Sequence, residues 1–258
     1  MIKEYEGLTL ITDPLLDKYS VKHIFTTASD KDGVADFSFN TSDKDKVLGC
    51  YERIASFFGV PLSSIVKSTQ IHKDKIEEIT AAHKGMGIVR ETAFESADGI
   101  FTLKKDIPLC IFSADCVPIL IADKNKKAVF GVHSGWKGTA LDIAGKAIRL
   151  LKEKTGCESS DIICAIGPSI SLCCFEVSYD VIEALGKIYD VGDCCYKKDN
   201  GKYMLDLKKF NKLLLMKEGV PEENISVSDY CTRCCDRLFH SYRRDGDKSG
   251  RNAAFIML

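Results

Sequence analysis

Apolar and polar positions follow two periods along the chain, and the sharpest pattern lies at 113–139, SADCVPILIADKNKKAVFGVHSGWKGT. Two continuous apolar runs, 117–122 and 128–132, flank the polar run 123–127. A polar break between apolar runs predicts a β-hairpin. With the turn centred on Lys124 and Asn125, Cys116 and His133 lie directly opposite each other, with Cβ atoms about 4.5–5.5 Å apart. At that separation a thiolate and an imidazole can share one metal ion or act as a nucleophile and its base. The expectation depends on turn parity, because a one-residue shift sends the two side chains to opposite faces.

Further apolar runs predict strands at 8–12, 23–27, 65–71, 97–102, 107–112, 162–166, 225–227 and 253–258. From 42 to 58 the spacing changes to three and four residues, placing Val47, Leu48, Tyr51, Ile54, Ala55 and Phe58 on one face of a helix closed by Gly59 and Pro61. A second stripe, Leu141, Ile143, Ala144, Ala147, Ile148 and Leu151, predicts a helix to about 154 with Thr139 as its cap. Helices are also expected over 178–188 and 206–217. Strands separated both by hairpins and by helices predict an α+β fold. A chain of 258 residues, 45% hydrophobic, can form this fold as a single domain.

Charge narrows the partners. Lys plus Arg (36) nearly balance Asp plus Glu (37), so no overall field favours nucleic acid or an anionic membrane, and any anion site must be local. No signal peptide and no apolar run long enough to span a membrane is evident, which predicts a soluble cytoplasmic protein. The 12 cysteines are then expected to be reduced thiols, since disulfide frameworks belong to small secreted chains. Three adjacent pairs (173–174, 194–195, 234–235) and the run Cys231-Thr-Arg-Cys234 have ligand character. No second pair at matching spacing accompanies them, and most are expected to be core residues.

Five histidines can be weighed one by one. His83 lies in a polar stretch and is expected to be exposed, and His23 and His240 to be structural. His72 and His133 each end an apolar strand. With Cys116 they make a three-ligand zinc set with one open position, as in catalytic sites. The competing reading is a core thiol with two histidines bonded to backbone, and spacing does not decide between them. Neither H-E-x-x-H nor the H-x-E and P-C-x-x-C pair of nucleobase deaminases is present. Near the C-terminus Arg243, Arg244 and Arg251 are interleaved with glycines, which suits phosphate, and Lys137 can join them; the alternative is a solvated, charge-rich turn. Trp136 is a core anchor or a pocket wall.

The motifs QIH (70–72), ADGIFT (97–102), ADCVPIL (114–120), HSGWKGT (133–139), IGPSISLCCFEV (166–177), and CT followed by FHSYRRDGDKSGR up to Arg251 together resemble the YfiH/YlmD-like family. Its members are also called laccase-domain proteins, polyphenol oxidases and purine nucleoside phosphorylases. The resemblance runs in order from about His23 to the C-terminus. It implies a layered α/β/β/α fold with mixed sheets and a zinc site at His72, Cys116 and His133. It also implies phosphorolysis of adenosine, inosine and methylthioadenosine, with adenosine deamination as a further activity. Purine nucleosides and phosphate are then the expected partners of a monomer or homodimer. Asn40 matches the family's serine-leucine-asparagine position, and with Gln70 it is a candidate for binding substrate. Glu176 is a candidate proton donor. Ala28 departs from the pattern, standing where the family usually has an arginine.

Two other chemistries share these residues. His₂Cys is also a blue-copper donor set, although a multicopper oxidase needs many more histidines and no methionine is well placed as an axial ligand. Cys116 with His133 as its base would instead give a cysteine hydrolase or amidase, an activity linked in some family members to peptidoglycan precursor editing. A non-enzymatic binding protein is the remaining class.

Overall fold

Two β-sheets pack face to face, each covered outside by helix, in the computed structural model, which describes every residue except 32, 42 and 93. The first sheet runs in the order Ile2–Tyr5, Leu8–Ile11, Lys22–Asp30, Asn252–Met257, Leu109–Ser113 and Val66–Lys67, with Gly33–Val34 paired to Lys22–Asp30. The second runs Ile225–Val227, Ile162–Ile166, Val117–Asp123, Val129–Ser134, Gly99–Thr102 and Ile76–Glu78. Both mix parallel and antiparallel pairs. Strand alternation sorts the side chains. Ala254, Ile256, Leu120 and Ala122 face the space between the sheets, whereas Phe255, Met257, Ile119 and Ile121 face outward under helices.

Because Val117–Asp123 is buried along its whole length, it reads as a continuous apolar run without alternation. The helix Lys44–Phe58 covers the first sheet with Val47, Cys50, Tyr51, Ile54, Ala55 and Phe58. It ends at Gly59, whose φ of 71° only glycine adopts readily. Its expected first residue, Ser42, lies outside the described residues. Ile143–Thr155 and Leu207–Lys217 cover the second sheet. Each large side chain so buried contributes about 1.5–3 kcal/mol of transfer free energy. The α/β/β/α layering therefore follows from two outward-facing apolar surfaces that each need a helix. No helix among the described residues is long and apolar enough to cross a membrane.

Three local expectations need correction. In the hairpin His133 pairs with Pro118 and Ser134 with Val117, so the turn is centred on Asn125 and Lys126, one residue later than expected. The shift moves every partner by two residues, which preserves faces but leaves Cys116 just beyond the strand rather than opposite His133. The helix expected from Thr139 is two helices, Trp136–Ala140 and Ile143–Thr155, broken at Asp142, which is left-handed with φ 58°. Thr139 bonds Gly135, Ser134 and Asn211 instead of capping. Of the strand expected at 65–71 only Val66–Lys67 pairs, because the following residues turn toward the site. A small third sheet, Glu176–Val177, Tyr203–Leu205 and Cys195–Lys197, was not evident from sequence pattern.

Candidate active site

The hairpin ends, the segment after Val66–Lys67 and the C-terminal turn converge on a cavity of about 350 Å³, within the size range of small-molecule sites. His72, Cys116 and His133 line it together. Their ligand atoms lie within 4.8 Å of one another, and Cys116 Sγ is 3.7 Å from His72 Nε2. Two ligands of one tetrahedral zinc would be about 3.6 Å apart at Zn–S and Zn–N bonds of about 2.3 and 2.05 Å. The three residues thus fit a single metal ion. Gly135 makes this approach possible: a Cβ there would sit 2.9 Å from Cys116 Sγ and 3.0 Å from His72 Cδ2.

Asp98 organises the three candidate donors, and it was not singled out in the sequence. Its fully buried carboxylate accepts the backbone N–H groups of Ile71, His72 and Lys73 at 3.2, 2.8 and 2.8 Å. These bonds hold His72 in a left-handed conformation, φ 61°, which a non-glycine residue rarely adopts. The same carboxylate accepts His133 Nδ1–H at 2.9 Å, leaving Nε2 free for a metal. Its signal was an acid at the mouth of an apolar strand, ADGIFT, where a carboxylate has no solvation of its own.

Electrostatics make the cluster a coupled pair. Burial favours the neutral Cys116 thiol, yet the imidazoles of His133 and His72 outweigh it and pull the thiol down to about 6. Burial likewise opposes charge on His133, but Cys116 and Asp98 raise its pKa well above the ordinary imidazole value. In chelator-stripped protein, alkylation of Cys116 followed by peptide mass mapping is therefore expected to persist down to about pH 6 and to fall below it, because the thiolate is the nucleophile. A half-maximal rate near pH 8.5, as for an ordinary thiol, would contradict this pairing.

Asp115, beside Cys116, fastens the cavity wall. It accepts Thr232 Oγ1–H at 2.6 Å, Ser241 Oγ–H at 3.0 Å and the Arg243 backbone N–H at 2.7 Å. Arg243 and Arg251 both line the cavity, and neither forms an ion pair with a described residue. Arg243 lies over the Phe175 ring at 5.4 Å and donates to the Glu176 carbonyl. Arg244 points elsewhere: it makes a fork to Asp245 at 2.9 and 2.7 Å and bonds the carbonyls of Thr232 and Phe239.

The other candidates are dispersed. Gln70 lines the cavity, but its amide bonds both the N–H and the carbonyl of Phe112. Asn40 and Lys137 are exposed and do not line it. Ala28 lies in the strand Lys22–Asp30, where its N–H donates to Leu238, and does not line the cavity either. Glu176, expected as a proton donor, does not line the cavity; Lys198, with Asn200 and Lys202, holds its carboxyl low, at about 2. His23 and His240 bond backbone carbonyls, as expected of structural histidines. His83 is half-buried, its Nδ1 accepting the Thr80 N–H, where an exposed residue was expected.

Paired imidazoles, a thiolate and a buried orienting carboxylate facing a cavity with two uncompensated guanidinium groups are the equipment of a metal-assisted enzyme. The family model described as "Multi-copper polyphenol oxidoreductase laccase" matches residues 28–258, and the chain belongs to this family. It is 39% identical over 218 residues to purine nucleoside phosphorylase YlmD of Bacillus subtilis strain 168, an alignment covering 83% of this chain and 78% of that one. It is 35% identical over 212 residues to adenosine deaminase RL5 of an unknown prokaryotic organism, covering 81% and 80%. The fold superposes on the crystal structure of the Bacillus licheniformis hypothetical protein YfiH with a TM-score of 0.91 at 30% identity, covering 100% and 98% of the two chains. Among the described residues His72, Cys116 and His133 are the one cluster containing histidine that could hold a metal, where a multi-copper centre needs several.

Proposed function

We propose that this enzyme is a zinc-dependent purine nucleoside phosphorylase that also deaminates adenosine, with residues 1–258 forming one catalytic domain. The observation carrying the reading is that the His72, Cys116 and His133 donor set opens on the same cavity as the unpaired Arg243 and Arg251. The names of the relatives, one a phosphorylase and one a deaminase, support the same pair of reactions. Adenosine, inosine and methylthioadenosine are the proposed nucleosides.

Zinc held by His72, Cys116 and His133 would supply a water acidified to a pKa of about 7, a nucleophile for the purine carbon that bears the amine. The chain's own residues do the rest. Arg243 and Arg251 bind hydrogen phosphate by charge-assisted hydrogen bonds and set an oxygen against the anomeric carbon, whose bond to the purine nitrogen breaks as the new C–O bond forms, the purine leaving with the proton that the phosphate gives up. Phe112, Trp136 and Phe175, all lining the cavity, offer aromatic faces to the base and exclude water around it. Asp98 fixes the His133 proton on Nδ1, keeping Nε2 available.

The test measures adenine and inosine as separate products from adenosine while phosphate is varied, before and after chelation and zinc return. Phosphate-dependent adenine release and chelator-sensitive inosine release are expected, and absence of both from zinc-replete protein would overturn the reading. The thiolate–imidazolium pair of Cys116 and His133 favours a second reading, a cysteine hydrolase or amidase. Amide-bond hydrolysis that survives chelation and is abolished by Cys116 alkylation would select it.

A further inference from the structure

A second group of thiols lies outside the catalytic cavity. Cys173 and Cys174 sit between the strands Ile162–Ile166 and Glu176–Val177, and Cys231 and Cys234 follow Ile225–Val227. The sequence offered no partner pair for Cys231-Thr-Arg-Cys234, and the fold supplies one from 60 residues away. Cys174 Sγ is 3.2 Å from Cys234 Sγ, Cys173 Sγ is 3.6 Å from both Cys174 Sγ and Cys234 Sγ, and all four sulfurs lie within 4.8 Å of one another. Four thiolates around one zinc at about 2.3 Å would be separated by about 3.8 Å. We propose that Cys173, Cys174, Cys231 and Cys234 form a closed tetrathiolate zinc site that ties the cavity wall together.

Two observations besides the sulfur spacing support the site. The Cys231 sulfur accepts the Ser171 N–H at 3.4 Å, and the backbone N–H groups of Arg233 and Cys234 also point at it. Such N–H donors stabilise a metal-bound thiolate and belong to a tight ligand turn. Arg233 lies 3.5 Å from Cys174 Sγ, forms no ion pair with a described residue, and supplies positive charge beside a site that four thiolates would leave anionic. A disulfide between Cys173 and Cys174 is disfavoured, since adjacent Cα atoms are about 3.8 Å apart and disulfides usually span about 4.4–6.8 Å.

Position gives the site its consequence. Phe175 and Ile170, flanking Cys173 and Cys174, line the catalytic cavity, and Thr232, inside the Cys-Thr-Arg-Cys run, bonds Asp115 beside Cys116. The zinc would join two segments that each hold part of the cavity wall. A four-sulfur set leaves no open position, so its role is structural, unlike that of the His₂Cys set.

The Cys116→Ala protein isolates the second site, because its catalytic ligand set is incomplete. Purified without chelators, it is expected to retain one zinc per chain, and Cys116→Ala/Cys234→Ser is expected to retain none. Cobalt loaded into Cys116→Ala should show the intense sulfur-to-metal charge-transfer absorption of four thiolates. Native maleimide labelling of the four cysteines should accelerate roughly tenfold or more after chelation, as coordination occupies the sulfur lone pairs. Zinc-free Cys116→Ala protein whose four thiols label at the chelated rate would overturn the site, as would an iron–sulfur chromophore in place of zinc. None of these readouts depends on catalytic activity, so the outcome is separate from that of the proposed reaction.

Discussion

Cys116→Ala is expected to lower bound zinc by one equivalent per chain and to reduce inosine formation from adenosine to background. Cys116 is the one anionic donor among the three candidate ligands, so its loss leaves two imidazoles and an open side facing water. Its removal also withdraws the negative charge that stabilises a protonated His133, while Asp98 remains to hold the ring. Asp98→Asn provides a graded comparison. It keeps the side-chain volume but loses charge from a group bonded to three backbone N–H groups and one imidazole, and about a 10–100-fold weaker metal affinity is expected, as for other partners of metal-bound histidine. Elemental analysis of folded protein, with competition against a zinc indicator, measures both variants. Unchanged zinc content and full activity in Cys116→Ala would remove this residue from the metal site.

Arg243→Ala and Arg251→Ala are expected to raise the phosphate requirement of phosphorolysis about ten- to a hundredfold each, while deamination, which consumes water, suffers less. A charge-assisted hydrogen bond is worth about 1.5–3 kcal/mol, which sets that range. Arg244→Ala provides the contrast. Its guanidinium is already committed to Asp245 and to three backbone carbonyls, so its loss is expected to lower thermal stability without changing the phosphate dependence. Titrating phosphate at saturating adenosine, then adenosine at saturating phosphate, separates the effects. Equal loss of both products in Arg243→Ala and Arg251→Ala, with unaltered phosphate dependence, would assign these residues to the nucleoside or to the fold.

Hydrophobic period by itself determined much of the architecture. It placed the helix Lys44–Phe58, the helix Leu207–Lys217 and both strands of the central hairpin close to their observed bounds, because each side-chain pattern reports which face is buried. The hairpin also shows where that information ends. Turn parity decides which face a residue occupies, and it survived a one-residue error in the turn centre; the partner of each residue did not, because register depends on how the turn packs. His72, Cys116 and His133 were legible because two of them close one local hairpin and the third ends an apolar segment. Asp98 was not, since its partners are three amides and an imidazole brought to it by separate segments, and no spacing encodes that convergence. Arg243 and Arg244 are neighbours of one residue type, and a single helical turn sends one to the cavity and the other to Asp245. The four clustered cysteines follow the same logic. Two pairs 60 residues apart share no local signal, and only the chain's path back across the second sheet brings their sulfurs into contact.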